Sequence, residues 1–540
     1  MKKITLALMA VMLVLGMTQC KKEQPTPTPD PTPDGETVYI SMKVEEGGKH
    51  IVYPSTGAYV FEDGDKIYVG NNGHYVGTLT YGNGTFSGSI TSPSTSDYLH
   101  FYFTGGKAPA SNPSAGSTTS FTVDISDQTS KLPILSYGRS HIKYVNGTTA
   151  YSCMLENKCG LVKFIIPNMT PGQQESSFAT RPISIEGMKT TANINFALGN
   201  EGIAPVDNAI GAVTLYSVSS NQSSTAEKWA VLLPQEEVTY PDAKVNFYGL
   251  IANIASVPAV TPNMYYTEGV VISRPIAIQA KAGGDNVYFS QGNLQFVDSY
   301  SSTDYWKFAD NQWDIVGNAQ QNPYGYSHPE KYDLFGWGTS GWNSGANSNS
   351  PYYYQPTSSG TGAKNYGPGS HNLTGNYANA DWGWYNPISN GGNTANLWRT
   401  LTKDEWNYLI NTRSNAESRR GFGIVNGVKG LILLFSGTPE GFTPGNNSWE
   451  NGNNIFTLTQ WQPIEASGAI FLPLTGRRNN GYYSQEDYGH YWSTDADYDF
   501  FAYSVNFDET DKIVINSQDR SYGFSVRLVA KVNDHNNANF

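Results

Sequence analysis

The sequence predicts a mostly β protein of several domains, tandem β-sandwiches followed by a loop-rich α+β domain. Three observations carry this. Charged residues are only 15% of the chain, and the helix formers Glu, Lys, Arg and Leu are scarce. Aromatics reach 13%, with 36 Tyr and 12 Trp, beside 55 Gly and 29 Pro, a mixture that suits strands joined by turns. A length of 540 residues exceeds one ordinary domain. The net charge of −12 argues against a nucleic-acid partner, which needs a basic face.

The elements follow in chain order. Lys2 and Lys3 precede an apolar run from Ile4 to Met17 that is too short to span a membrane. Residues 1–19 read as a secretory signal peptide. The run ends at Cys20, before Lys21, and resembles a bacterial lipoprotein lipobox, which implies a lipid on Cys20 and a membrane partner through it. Losing residues 1–19 removes two lysines and takes the net charge from −12 to −14. Residues 20–36 continue as Pro25-Thr26-Pro27-Thr28-Pro29-Asp30-Pro31-Thr32-Pro33. Alternating proline enforces an extended spacer that cannot pack a core.

Residues 37–165 and 166–275 read as two β-sandwiches. Val38, Ile40, Met42 and Val44 alternate with polar partners, the period of a half-buried strand. Asp63-Gly64-Asp65 makes a turn before Lys66-Ile67-Tyr68-Val69. Leu99 to Phe103, Leu161 to Ile166, Ala230 to Leu233 and Val245 to Leu250 are denser core runs. Cys153 and Cys159 flank Glu156-Asn157-Lys158. They could close a hairpin disulfide in an exported protein or remain two buried thiols. The segments Phe61 to Val69 and Tyr98 to Phe103, with the leader, are similar to Bacteroidetes fimbrillin-like lipoproteins. That resemblance implies a pilus stalk, anchor or tip subunit or a lone surface lipoprotein. Stalk subunits of the family are cleaved after a basic residue, usually Arg, in an early loop. Here the first arginine is Arg139, which disfavours a stalk role.

Residues 276–535 hold every tryptophan except Trp229. Thr402 caps a predicted helix, Glu405 closes a capping box, and Leu401 and Trp406 can staple its start. Strands are expected at Gly430 to Phe435, Ala469 to Leu474, Phe501 to Phe507 and Phe524 to Ala530, the last closing the domain. Leu397 to Trp406 resembles a segment of the formylglycine-generating-enzyme-like branch of the C-type lectin fold. Gly489 to Thr494, Ala502 to Phe507 and Tyr522 to Leu528 are similar to the Fibrobacter-type major paralogous domain. The resemblance implies a C-type-lectin-like fold. The oxidase that names the branch binds copper with two cysteines, and residues 276–540 contain none, so that activity is not expected.

Three candidate chemistries remain. The carboxylates Asp381, Glu405, Glu465, Glu486 and Asp487 would allow a surface polysaccharide hydrolase if two of them faced one cleft. Asp495, Asp497 and Asp499 resemble the opening of a calcium loop, although Phe500 and Asn506 replace the required Gly and Glu. No other cofactor or metal is expected. Between residues 324 and 385, Tyr and Trp are interleaved with Asn and Ser, and such surfaces suit glycans or proteins. Trp337 and Trp382 read as core, whereas Trp342, Tyr352, Tyr353, Tyr354, Tyr366 and Trp384 are candidate ligand-binding residues. The expectation is an outer-membrane lipoprotein exposed at the cell surface. Its work would be adhesion or binding of a glycan or a host or bacterial surface protein, as a fimbrial tip or accessory subunit beside other pilus subunits. The alternatives are the hydrolase and a purely structural envelope lipoprotein.

Overall fold

A computed structural model describes residues 37–44, 60–91, 97–141, 149–167, 182–217, 226–299, 303–320, 330–342, 366–445, 453–479, 482–484, 488–508 and 512–532. Cys20, the proline-rich spacer, Tyr352, Tyr353, Tyr354, Glu486 and Asp487 lie outside them. The chain is mostly β, as expected. No helix among the described residues is long and apolar enough to cross a membrane.

The first unit is an eight-stranded sheet in the order Thr149–Cys153, Thr37–Val44, Thr85–Thr91, His74–Gly82, Lys66–Asn71, Tyr98–Thr104, Leu135–His141 and Glu156–Asn157. Alternation sends Ile40, Met42, Ile67, Val69, Phe101 and Phe103 into one buried cluster. Tyr68, Tyr102 and Tyr137 point to a second cluster on the other face. The turn at Asp63-Gly64-Asp65 forms, with Asp65 nearly buried and held by Lys131 at 3.2 Å.

The strand Gly160–Ile166 explains why its sequence is apolar almost without interruption. It pairs antiparallel with Ala226–Leu232 and parallel with Tyr265–Val271. Leu161 faces the cluster shared with the first sheet, while Val162, Phe164 and Ile166 face the next. A strand covered on both faces has no polar side to alternate with. Ser120–Asp124 also pairs with Thr191–Asn195, so backbone hydrogen bonds join residues on either side of residue 165.

The two cysteines do not form a hairpin. Thr149–Cys153 belongs to the first sheet and Gly160–Ile166 to the second, and Glu156–Asn157 pairs with Ser136 and Tyr137 instead of turning. Cys153 lies in one hydrophobic cluster and Cys159 in the other. Both are buried and not bonded to each other, which favours the thiol alternative over the disulfide.

Among the described residues, the C-terminal half has four small sheets and a two-stranded ribbon, packed on buried tryptophans. Its last strand, Leu528–Lys531, lies between Asn286–Phe289 and Arg399–Thr400, closing the unit as expected. The core continues across residue 275: Val245, Leu250 and Ile272 share one cluster with Trp306, Trp337 and Trp398. Gly249 sits at this seam with φ +77°, and an added Cβ would lie 2.7 Å from the Phe308 ring. Glu465 pins the seam, accepting from Tyr240 at 2.9 Å, Asn253 at 3.1 Å and Gln312 at 2.9 Å.

The cysteine geometry has a direct check. Burial pushes the Cys159 thiol up to about 12, so thiolate is scarce at neutral pH. Cys153 and Cys159 should resist maleimide in the native protein. Both should be labelled after unfolding without reductant, as read by intact mass. Labelling that requires reductant would show that they are bonded.

Candidate functional site

The site is built upward from Asp381. This carboxylate is buried and accepts the Thr400 backbone N–H at 2.7 Å and the Thr400 hydroxyl at 3.0 Å. Burial pushes it up to about 6, against the pull of those donors. It precedes the single-turn helix Trp382–Tyr385. One turn cannot hide three large rings on one face. Trp382 points inward and is fully buried, while Trp384 and Tyr385 are 39% and 41% exposed.

Short polar bonds lock this turn to its neighbours. Asn386 Nδ2 donates to Ser340 O at 2.7 Å and to Trp382 O at 3.1 Å. Ser340 Oγ donates to Asn379 O and accepts from the Trp342 N–H. Ser389 N donates to Trp306 O, and Ile388 bridges Trp306, beside exposed Tyr305. The segments that carry Tyr305, Trp342, Trp384 and Tyr385, together an aromatic shelf, are thus tied to one another through backbone, amide and hydroxyl groups. Stacking faces beside adaptable hydrogen bonds suit sugars and protein side chains alike.

The expected helix begins where its sequence indicates. Thr402 accepts from the Glu405 N–H at 3.1 Å and Glu405 accepts from the Thr402 N–H at 2.8 Å, a complete capping box. Glu405 also receives a two-pronged contact from Arg399, at 2.7 and 2.8 Å. Burial acts to raise the Glu405 carboxyl, and the Arg399 fork and the Thr402 donors together more than offset it, holding the group below the ordinary glutamate range.

The structure sorts the anticipated residues. Trp384 is exposed and Trp342 half-buried, and both belong to the shelf. Tyr366 is a correction: it is fully buried, its ring laid against Gly336. Asp495 is another, because it accepts from the Lys403 N–H at 2.7 Å and from Thr494, anchoring the start of a helix. Asp497 and Asp499 lie farther along, at a hairpin tip. Among the described residues no group of three His, Cys, Asp or Glu is placed to hold a metal. The described acids of the hydrolase alternative are all buried and bonded within the chain: Asp381 to Thr400, Glu405 to Arg399, Glu465 at the seam. A separate groove of about 650 Å³ lies between Ser436–Gly441 and the helix Leu458–Ala466, and Glu440 is the only carboxylate among its described lining residues.

Sequence reasoning did not single out Tyr305 or Tyr385. Tyr385 was in view within the aromatic-rich stretch, and the neighbouring buried Trp382 marks its turn as one with two faces. The alternation Tyr305-Trp306-Lys307-Phe308 could have placed Tyr305 outward.

No family model and no curated protein matches the sequence. Among solved structures the chain is similar to a candidate cell adhesion protein from Bacteroides uniformis, at 14% identity over 44% of this chain and 96% of that one, TM-score 0.28. It is similar to another from Bacteroides thetaiotaomicron, at 13% identity over 44% and 92%, TM-score 0.26. A third is the fimbrial anchor protein Mfa2 from Porphyromonas gingivalis, at 10% identity over 37% and 74%, TM-score 0.23. These scores are too low to place the chain in a family.

The Arg399–Glu405 pair supports the segment below the shelf, and its removal should be felt in stability. Glu405→Gln leaves the Arg399 charge without its carboxylate and should cost about 3 kcal/mol. The folded protein holds Glu405 below its unfolded pKa, so its contribution is full above the unfolded value and is lost as pH falls through the folded one. Tm measured down to pH 3 should therefore fall less steeply in Glu405→Gln than in the parent. Parallel curves would show that the pair contributes no acid sensitivity.

Proposed function

We propose that this is an exported envelope lipoprotein, lipidated on Cys20, that works in adhesion or ligand binding through the aromatic shelf of its C-terminal half. The spacer and the two sandwich units, 37–165 and 166–275, would carry the 276–535 unit away from the membrane. The resemblance of the leader and the Phe61 to Val69 segment to fimbrillin-like lipoproteins supports a tip or accessory position in a fimbria. The observation that carries the binding role is the outward display of Trp384 and Tyr385 from a turn whose other tryptophan is buried. Three hydrogen bonds from Asn386 and Ser340 hold that turn in place. The exposed part of each ring adds little to the fold, and the ordering cost of the turn that carries it is already met before a ligand arrives. The ligand class that fits is a glycan or a surface protein.

The test uses the whole chain, because the core runs across residue 275 and the C-terminal half alone would expose an apolar face. Glycan and protein arrays should give saturable binding for the parent protein. Trp384→Ala/Tyr385→Ala should weaken it at least about tenfold, with Tm within about 2 °C of the parent. A double variant that binds like the parent would move the site elsewhere. Absence of binding to any glycan or protein would overturn the adhesin reading.

A further inference from the structure

The hairpin tip between Tyr488–Asp497 and Phe501–Asp508 lies outside the shelf. Tyr498 has φ +57°, a left-handed conformation that a bulky side chain rarely adopts. Its ring is 79% exposed, more than any other large hydrophobic side chain among the described residues. Arg520 enforces this. The guanidinium is fully buried, lies 4.3 Å from the Trp337 ring centre and donates to Tyr498 O at 2.6 Å, Phe501 O at 3.0 Å and Gly369 O at 2.5 Å. Asp499 is exposed and Asp497 half-buried at this tip, and both carboxylates act on the Arg520 charge beneath them. Phe501, 42% exposed, adds a second ring.

The same strand shows what this surface takes. Residues two apart share a face of a strand, so Tyr503 lies beside Phe501. Lys403 Nζ sits 3.5 Å from the Tyr503 ring centre. One ring of this face therefore already holds a cation, while the next, Phe501, is exposed and lies opposite Asp497, with Tyr498 and Asp499 exposed in the turn between them.

We propose that the tip formed by Asp497, Tyr498, Asp499 and Phe501 is a second docking surface, for a lysine- or arginine-rich segment of a partner protein. Ring faces attract ammonium and guanidinium groups, and carboxylates add charge-assisted hydrogen bonds. A chain of net charge −12 also steers a cationic segment toward it.

The probe is a labelled octa-arginine peptide, with octa-glutamate as control, titrated against the whole protein by fluorescence anisotropy. The parent should bind the cationic peptide saturably. Asp497→Asn/Asp499→Asn and Tyr498→Gly should each weaken it about tenfold or more. Tyr498→Gly relieves the left-handed strain, so its Tm should equal or exceed the parent's, separating lost contact from lost fold. The shelf variant Trp384→Ala/Tyr385→Ala should bind the peptide like the parent. Tip variants that bind with parental affinity would overturn the proposal. So would tip variants that lose binding of a glycan or of calcium and keep the peptide.

Discussion

Where the backbone leaves its strands for long loops, each buried N–H and C=O still needs a partner, and here buried side chains supply many of them. Arg520 donates to carbonyls of four residues, Tyr366, Gly369, Tyr498 and Phe501. Gln312 donates to Ala469 O and accepts from the Phe471 N–H. Asn454 accepts from Thr443 and donates back to Phe422 and Thr443. Asp333 accepts from Val316 and Gln320. The indoles of Trp337, Trp398 and Trp492 each fill a cavity and donate to a carbonyl, of Ser493, Gly391 and Phe335. Removing one such partner leaves a buried group unsatisfied, at about 1–3 kcal/mol each. This constraint accounts for the composition: few charges, most of the described buried ones bonded, and tryptophan in place of helical core.

The same constraint joins the halves. Glu465 gathers Tyr240 and Asn253 from one side of the seam and Gln312 from the other. Gln312 in turn accepts from Arg527 at 2.9 Å. Arg527 is fully buried, and burial pulls its pKa down to about 10, with Tyr491 and Glu465 working the other way. A seam lined with bonded polar groups and a shared apolar cluster seats one unit on the other in a single arrangement, where a bare linker would let them swing.

Much of the scaffold was legible because its elements are periodic or capped. Ile40 and Met42 are buried as their alternation requires, and Thr402 caps the helix that its spacing to Glu405 announces. A second capping box, Thr457 with Gln460, was equally visible in the letters and starts the helix Leu458–Ala466. Pro463 inside that run hid it, since proline ordinarily ends a helix. The sites were less legible. Tyr366 and Trp384 occupy the same kind of Gly- and Asn-rich sequence, yet one is buried and the other exposed. Loops carry no period, so the direction of a ring is decided by distant residues, Gly336 beneath Tyr366 and Ser340 beside Asn386. Asp495 reads as a calcium ligand only until Lys403, far away in sequence, presents its N–H.

The two surfaces share a foundation, which bears on how they would bind. Trp337 lies under Arg520 and donates to Ser493 O, tying the hairpin that carries Tyr498 to the core. That core also contains Trp382, beneath the shelf. A ring held by such contacts loses little freedom on meeting a ligand, so affinity follows from contact rather than from ordering. Tyr498 sharpens the point. Its left-handed backbone costs about 1–2 kcal/mol, and a glycine there would avoid that cost. The folded protein keeps the strain because Arg520 over-determines the turn, and what the strain achieves is the position of one exposed ring between two carboxylates. Strain held in place by its surroundings in this way is what a contact surface set before its partner arrives would require.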